Sequence, residues 1–294
     1  MISKKLRKYT ARKLFLLYFS LLSIQAGFAQ DSTTVVQDNT VTSTFWSKQT
    51  ISRLAAGGFS LGILGYAYGV WWKNDYRSFH LFNEPQGVFD AHLGIDKVGH
   101  FYTSYVMFHS IYEMLHWGEH SDEDTFWWTA GISAFHALAI EVGDGLSQYG
   151  FDYEDLIANW SGVAYGMLQK EVPYFENFQF KWSLYYPLKK HAFKVNDLYD
   201  YHIYFISAKV NNLLPGKLEK YWPDFLQLAL GYSGRNNVTQ REFILSLDYD
   251  LELIPIEGDF AKMLKSLLNM IHLPAPGVKF SPSNKPEFHL LLLN

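Results

Sequence analysis

Three polar motifs decide the fold of this chain: DKVGH at residues 96–100, EVGD at residues 141–144 and DLIAN at residues 155–159. The residues between these motifs, and onward to Gly166, are mostly apolar and aromatic. An ionisable or amide side chain that is buried without a partner costs free energy, so polar groups in such surroundings are expected to meet one another. Which groups meet depends on how the intervening segments fold.

Three helices are predicted around the motifs, over residues 97–117, 124–142 and 155–170. Asp124 and Asp152 are suited to cap the second and third helices, because a carboxylate accepts hydrogen bonds from free backbone N–H groups. Consecutive helices with short connections usually run antiparallel, so the beginning of the first, the end of the second and the beginning of the third share one end of the bundle. Residues three or four positions apart share a helix face. The sequence therefore predicts that three pairs converge: Asp96 with His100, Glu141 with Asp144, and Asp155 with Asn159.

The converging groups suit either a divalent metal ion or acid–base catalysis. Several carboxylates with one imidazole favour Mg²⁺, Mn²⁺ or Ca²⁺, and they also permit Zn²⁺. The predicted metal ligands are Asp96, His100, Glu141, Asp144 and Asp155. Without a metal, clustered carboxylates raise one another's pKa values, which suits general acid–base chemistry. The predicted catalytic residues are then Glu141, Asp144, Asp155 and His100, with Lys97 and Asn159 binding or positioning the substrate.

A structural interpretation of the same residues stays open. Acidic residues in the first turn of a helix can simply cap it, which would account for Asp96, Asp152 and Asp155. Glu141 can pair with Lys97, and His100 can be a core histidine. The remaining histidines on these helices have no comparable partners in the pattern, and we expect them to be structural: His109, His116, His120 and His136.

The segment from Ile51 to Trp72 is a long apolar helix by its composition. It carries a stripe of glycines on one face, at positions 58, 62, 65 and 69. Such a stripe is typical of helices that pack closely against another helix in a membrane. Two interpretations follow: the helix spans or skims a bilayer, or it is a buried helix of a soluble bundle.

After Pro173 the pattern changes to the period of two that is typical of strands. Strands are predicted over residues 178–186, 201–210, 225–232, 243–253 and 288–293, and an amphipathic helix over residues 259–272. In the fourth strand, polar residues such as Asp248 are expected to face water and leucines to face the core. About five strands are fewer than the roughly eight of the smallest membrane barrels. The sheet is therefore expected to pack against the helices or to lie on a membrane.

The predicted fold class is α+β: an N-terminal bundle of about four helices, followed by a small antiparallel sheet with an amphipathic helix. We divide the chain into a signal peptide (1–29), a flexible leader (30–49), a helical domain (50–172) and a β-rich domain (173–294). The first segment has basic residues, a short apolar run and small residues before Gln30, which is typical of a secretory signal. An uncleaved membrane anchor is the alternative, although the apolar run is short for a span.

The charge and cysteine content limit the class of function. The signal peptide holds six of the 25 basic side chains, which leaves 19 against 29 acidic ones. Such an excess of negative charge argues against nucleic acid as a partner and against electrostatic adhesion to anionic lipid. The sequence contains no cysteine. We therefore expect an exported protein that has neither disulfides nor a lipid attached to cysteine.

The motif DKxxH at 96–100, ExxD at 141–144 and GFDYxDLxANxxGxxxG at 150–166 resembles the YfiM-like family of predicted periplasmic proteins. The resemblance covers roughly residues 50–172, and the family has no established function. The stretches at 231–233 and 247–251 resemble longer exported versions from Bacteroidetes-type bacteria, which implies an association with the outer membrane. The motif is also similar, more weakly, to VanZ-like membrane proteins of the cell envelope. Some relatives look like lipoproteins, and this chain differs from them in lacking a cysteine.

Two hypotheses of function follow. In the first, an exported, membrane-associated envelope protein uses the polar groups, with or without a divalent metal ion, as a hydrolase or transferase. Its substrate would be an amphiphilic envelope component, either a lipid or a lipid-linked glycan. In the second, the protein is not an enzyme: the polar groups fix the register of the helices, and the sheet binds a lipid or a protein partner. Motifs of serine hydrolases, phosphate loops and dinucleotide sites are absent from the sequence.

Overall fold

The computed structural model describes residues 46–82, 92–184, 199–236, 238–282 and 284–292. The predicted signal peptide and most of the predicted leader lie outside the described residues. Within the described part, helices precede Val172 and a sheet follows it, which confirms the predicted α+β class. The division into two domains at this point stays a prediction.

Four long helices form the first part of the fold: α1 (Lys48–Ala67), α2 (Ile95–Trp117), α3 (Asp122–Gly145) and α4 (Tyr153–Glu171). Each predicted helix overlaps one of them, with ends that differ by a few residues. Helix α1 continues as a π-helical turn, Tyr68–Trp72.

The caps of two helices test the predictions for Asp124 and Asp152. Asp152 caps α4, because its Oδ1 accepts a hydrogen bond from the Glu154 amide at 2.8 Å. The prediction for Asp124 was wrong, since the cap of α3 is Ser121, whose hydroxyl oxygen accepts a hydrogen bond from the Asp124 amide at 3.1 Å. Ser121 has the extended backbone that a cap requires, whereas Asp124 already lies in the first turn.

Helix α1 contacts α2 through a face of small residues, but not through the predicted glycine stripe. Ser52, Ala56 and Ser60 are buried on this face. Among the described residues, no atom outside the backbone of α1 lies within 4 Å of a Cβ built at any of the four glycines, so the stripe makes no close helix contact in this part of the chain. The segment Lys48–Trp72 is long and apolar enough to cross a membrane, and most of it is not buried.

Glycines do allow a close approach between α2 and α4. A Cβ atom at Gly162 would lie 2.1 Å from the carbonyl oxygen of Phe101, and one at Gly166 would lie 2.5 Å from the ring of Phe108. Because α4 can approach the backbone of α2 here, Asp155 and Asn159, in the preceding turns of α4, lie against the first turns of α2.

Replacing Gly162 with Ala is expected to lower the free energy of unfolding by about 3 kcal/mol, because the added methyl group overlaps backbone that cannot move aside cheaply. Urea unfolding measures this change. Gly131→Ala is the matched control: the site is open on α3, and alanine there is expected to stabilise the helix by up to about 1 kcal/mol. Equal effects of the two substitutions would contradict the packing described for α4.

The second part of the fold is a six-stranded antiparallel sheet in which each strand pairs with its neighbours in the sequence. The strands are β1 (Phe178–Leu184), β2 (His202–Ala208), β3 (Leu226–Arg235), β4 (Gln240–Tyr249), β5 (Gly277–Phe280) and β6 (Glu287–His289). Two short helices, α5 (Val210–Leu213) and α6 (Gly216–Glu219), connect β2 to β3, and α7 (Asp259–Leu268) lies between β4 and β5. Five strands were predicted within a few residues, and β5 was missed because it has four residues and follows Pro276.

Two details of the predicted β-rich part were wrong. The amphipathic helix ends at Leu268 instead of residue 272, because the chain there turns to pair with β1: the Trp182 amide donates to the Met270 carbonyl, and the His272 amide donates to the Trp182 carbonyl. The polar side of β4 is also not wet, since Asp248 is buried while Leu245 is exposed.

A hydrophobic cluster joins the helices to the sheet. It contains Ile95, Tyr102 and Tyr105 of α2 together with Tyr204 of β2 and Val238. Aromatic side chains of β1 pack against it. Helix α2 is therefore held between the other helices and the sheet, with its first turn at the edge of this cluster.

Candidate functional site

The three predicted polar pairs meet at one end of the helical part. The first turns of α2, the last turns of α3 and the beginning of α4 lie together there, as the antiparallel arrangement predicted. We call the group the polar cluster and define it by its residues: Asp96, Lys97, His100, Glu141, Asp144, Asp152, Asp155 and Asn159.

His100 lies at the centre of the polar cluster and faces three carboxylates. Its Nε2 atom is 3.8 Å from Asp96 Oδ1 and 3.6 Å from Asp155 Oδ2. Its Nδ1 atom is 3.5 Å from Glu141 Oε1. The His100 side chain is 22% exposed, whereas Glu141 is buried. One nitrogen of the imidazole therefore faces two partly accessible carboxylates, and the other faces a buried one.

Lys97 is buried beneath the same carboxylates. Its ammonium group lies 2.8 Å from Asp155 Oδ1, 2.9 Å from Asp152 Oδ2 and 3.6 Å from Asp96 Oδ2. Its side chain is 6% exposed. Lys97 is thus held inside the polar cluster, which suits a role in positioning the carboxylates better than the predicted direct contact with a substrate.

A chain of hydrogen bonds connects the three helices behind His100. The Asn159 amide donates to Glu141 Oε1 at 2.8 Å, and the Ser104 hydroxyl donates to Asn159 Oδ1 at 2.8 Å. Ser104 was not predicted, although it lies one helical turn after His100 and shares its face. These bonds fix Glu141 in place beside the imidazole.

Two further residues of the site come from outside the three helices and were also missed. The Tyr199 hydroxyl, three residues before β2, donates to Asp96 Oδ1 at 2.5 Å. The Trp72 indole, in the π-helical turn after α1, donates to Asp144 Oδ1 at 2.7 Å. No spacing in the sequence signals these contacts, because they depend on how α1 and the sheet dock onto the bundle.

The geometry divides the five predicted metal ligands into two groups. Asp96, His100 and Asp155 each offer a ligand atom, and the three atoms lie within 4.8 Å of one another. Glu141 and Asp144 are instead held by Asn159 and Trp72. The arrangement can therefore hold a small cation at the first three residues, with Glu141 behind the imidazole.

Burial and neighbouring charges shift the pKa values of Glu141 and Asp144 towards neutral pH, and they shift the pKa of His100 above it. Burial raises the pKa of Glu141 to about 8, and the charges of Asp155 and Asp144 act in the same direction against His100. Burial also raises the pKa of Asp144 to about 6, against the hydrogen bond from Trp72. For His100, burial opposes the charge, but the surrounding carboxylates raise its pKa to about 9. Groups with such values can exchange protons near pH 7.

Burial and neighbouring charges act in opposite directions on the pKa values of the other charged groups. Burial opposes the charge of Asp96, but His100 and the hydrogen bond from Tyr199 lower its pKa. Burial likewise opposes the charge of Lys97, but Asp155 and Asp152 raise its pKa. Burial raises the pKa of Asp155, although His100 and Lys97 act against it. Within the polar cluster, the pKa shifts therefore favour the charged forms of Asp96 and Lys97 and oppose the charged form of Asp155.

Three of the four histidines that were predicted to be structural have partners that fit such roles. His109 lies 2.8 Å from Gln169 Oε1, and His136 lies 3.0 Å from the Ser60 hydroxyl. His120 lies 3.0 Å from the Ser52 hydroxyl. The first two contacts each join two helices, and the third joins α1 to the turn between α2 and α3. All three lie away from the polar cluster.

Comparison with known proteins gives one family match, over residues 87–171. The family is described as a predicted periplasmic lipoprotein (DUF2279), and the matched residues include α2, α3 and α4. No curated protein and no solved structure matches the chain. The match supports an exported, periplasmic envelope protein whose function is uncharacterised. The sequence itself has no cysteine to carry the lipid of a lipoprotein, and the YfiM-like and VanZ-like resemblances stay predictions.

Proposed function

We propose that the polar cluster is the site of a hydrolase or transferase, assisted by a divalent metal ion, in an exported protein associated with the outer membrane. The substrate class is an amphiphilic envelope component, either a lipid or a lipid-linked glycan. The observation that carries the proposal is the group formed by Asp96, His100 and Asp155, whose ligand atoms converge at a partly accessible position.

The balance of charge supports a cation at this position. Five carboxylates of the polar cluster share two cationic side chains, Lys97 and His100. Partly buried carboxylates that lack a counter-charge repel one another and are costly to keep ionised. A divalent ion would supply the missing positive charge and would displace the proton of His100 Nε2, because an imidazole binds a metal only in its neutral form. Carboxylate oxygens with a neutral imidazole form a suitable set of ligands.

The orientation of each ligand supports the same position. Lys97 faces one oxygen of Asp155 and one of Asp96, and the second oxygen of each carboxylate faces His100 Nε2. Glu141 faces the opposite nitrogen of the ring. A carboxylate behind a metal-binding histidine orients the ring so that its other nitrogen is free to bind the ion. In this arrangement Lys97 and Glu141 position the ligands, while Asp96, His100 and Asp155 hold the ion.

A bound ion would polarise a carbonyl or phosphoryl oxygen of the substrate, or activate a water molecule. The chain's own residues would supply the proton transfer. Glu141 and Asp144 have pKa values near neutral pH, which suits groups that exchange protons during a reaction. The family description supports the envelope as the location of the substrate.

A non-catalytic role is the second candidate, and one observation favours it. The hydrogen bonds from Ser104 to Asn159 and from Asn159 to Glu141 connect three helices, as a network that fixes helix register would. In this case the carboxylates would be structural, and removing one partner would leave the others unpaired in the interior.

Titration of the purified protein with Mg²⁺, Mn²⁺, Ca²⁺ and Zn²⁺ in a calorimeter distinguishes the two candidates. We expect one ion to bind, and Asp155→Asn to weaken the binding at least tenfold while the fold is kept. Asp122→Asn is the control, because Asp122 is exposed in the first turn of α3, at the other end of that helix. If Asp155→Asn instead leaves ion binding unchanged and lowers stability by about 3 kcal/mol or more, the polar cluster is a structural network.

Activity is tested separately, with a panel of phospholipids and lipid-linked glycans as substrates. We expect His100→Gln to abolish turnover of the substrate that the wild type accepts, while Asp122→Asn retains it. Turnover that persists in His100→Gln would contradict the proposed site.

A further inference from the structure

The sheet has an unusual polarity: its outer face is apolar, and its inner face carries many polar side chains beside a smaller apolar cluster that includes Ala229 and Ile244. On β4, the side chains of Glu242, Ser246 and Asp248 are buried, while Phe243 and Leu245 between them are exposed. On β3, Gln227 and Ser233 are buried, while Leu228 and Leu230 are exposed. A sheet that has one face in water normally shows the opposite pattern, with its apolar side chains in the core.

The buried face is charged and internally paired. Lys181 Nζ lies 2.8 Å from Asp248 Oδ2, and neither side chain is more than 1% exposed. Lys279 Nζ lies 3.3 Å from Glu242 Oε2, and both of these side chains are buried as well. These four charged side chains are therefore gathered inside the sheet.

The outer face is continuous and apolar. Cross-strand neighbours include Leu228 with Leu247, Leu230 with Leu245, and Phe243 with Phe280. Side chains on one face of neighbouring strands touch one another, so these pairs form one surface. None of the outward-facing residues within these pairs of β3 and β4 is acidic or basic. Phe288 and Leu290 extend the exposed apolar surface beyond β5, with exposures of 69% and 70%.

We propose that this outer face of β3, β4 and β5 inserts into the hydrocarbon of one leaflet of a lipid bilayer. The proposal deepens the membrane association proposed above by naming the surface, and it is independent of the chemistry of the polar cluster. Polar side chains inside and apolar side chains outside are the arrangement of sheets whose outer surface is in contact with lipid.

Charge and dimensions favour lipid hydrocarbon as the occupant. Between Leu226 and Tyr232 of β3 and between Phe243 and Leu247 of β4, the face offers no charged side chain to a polar protein surface or to an ionic headgroup, and Arg241 lies at the end of this region. An uncharged apolar surface is complementary to acyl chains. From Leu226 to Tyr232 the strand covers roughly 20 Å, at about 3.3 Å per residue. This length fills one leaflet, and it is short of the about 30 Å of a whole hydrocarbon core. Helix α1, which is also apolar and largely unburied, is a second element of the fold that suits a bilayer.

Fluorescence quenching tests the proposal, and the absence of cysteine from the chain makes labelling specific. A single cysteine is introduced in the full chain as Leu230→Cys and labelled with an environment-sensitive fluorophore. Neutral phosphatidylcholine vesicles that carry nitroxides on their acyl chains are then added. We expect strong quenching and a blue shift at position 230. Leu218→Cys is the matched control, because Leu218 is exposed on α6, outside the sheet, and we expect at least several-fold less quenching there.

A second measurement places the fluorophore on Leu228→Cys and compares this labelled protein with one that also carries Leu230→Asp/Leu245→Asp. Two charges in the face are expected to remove the quenching at residue 228, even if α1 keeps the protein on the vesicle. His100→Gln is expected to leave the quenching intact, so that loss of the site and loss of lipid contact are told apart.

Two outcomes would overturn the proposal. A label at residue 230 that stays water-exposed in the presence of vesicles shows that the face does not enter lipid. A label that becomes buried without vesicles, together with a dimer that Leu230→Asp/Leu245→Asp dissociates in sedimentation, shows that a second copy of the chain covers the face.

Discussion

Replacing Asp248 with Asn is expected to lower the free energy of unfolding by about 3–5 kcal/mol, which is the largest stability effect that we predict. Asp248 is buried, and it is the carboxylate nearest the ammonium group of Lys181. It also accepts a hydrogen bond from the Ser207 hydroxyl at 2.6 Å. The variant keeps the shape of the side chain but leaves a buried charge without its counter-charge. Urea unfolding followed by tryptophan fluorescence measures the change.

Two further variants make this result specific to the ion pair. Asp224→Asn is the control, because Asp224 is exposed and substitutions at such positions usually change stability by about 0.5 kcal/mol or less. The double variant Lys181→Met/Asp248→Leu removes both charges, and we expect it to recover most of the lost stability. A double variant that is as unstable as Asp248→Asn would show that the loss comes from packing and not from the unpaired charge.

The second large effect is on the acid stability of the helical part, through two buried histidines. Burial lowers the pKa of His136 to about 4, and burial together with the charge of Lys170 lowers the pKa of His109 to about 3. In the unfolded chain both groups have a pKa near 6.5. Because the unfolded state then binds more protons, stability is complete above pH 6.5 and falls as the pH decreases from 6.5 towards 4. Each histidine is expected to contribute ~2 kcal/mol to the loss between pH 6.5 and pH 5.

The contribution of one histidine is measured as a difference in pH dependence. His136→Gln is expected to lose about 2 kcal/mol less than the wild type between pH 6.5 and pH 5 in urea unfolding. The variant will also be less stable overall, because the hydrogen bond with Ser60 is disturbed. This loss is the same at pH 6.5 and at pH 5, so it does not change the difference between them. His116→Gln, at an exposed position of α2, is the control for removing a histidine from the surface of the same group of helices. A His136→Gln profile parallel to that of the wild type would contradict a neutral, buried His136.

The convergence of the polar cluster could be predicted from the sequence because it depends on local rules. Helix periodicity places Asp96 with His100 on one face, and antiparallel packing brings Glu141 and Asp155 to the same end. Tyr199 and Trp72 could not be predicted in this way. Their contacts depend on the docking of the sheet and of α1, for which no spacing in the sequence gives a signal. The chemistry of the polar cluster stays a prediction.

The strands were predicted from their alternation, but their orientation was not. Period-two alternation separates Leu245 from Asp248 onto two faces, and it does not say which face is inside. The usual assumption is that the apolar face is buried, which was wrong for β4. The polar face of β4 can be buried because its carboxylates have cationic partners: Lys181 pairs with Asp248, and Lys279 pairs with Glu242. These lysines lie on other strands and become neighbours of β4 only when the sheet forms.

The hydrogen bond from Tyr199 to Asp96 joins residues that are 103 positions apart in the chain. Contacts of such long sequence separation form late in folding, because the entropy of closing the loop must be overcome first. During synthesis the three helices of the polar cluster emerge before Tyr199 does. We therefore expect the helices to assemble the carboxylates around His100 before the β-sheet docks and Asp96 gains its last partner. A folding intermediate that holds the helices alone would have an incomplete site.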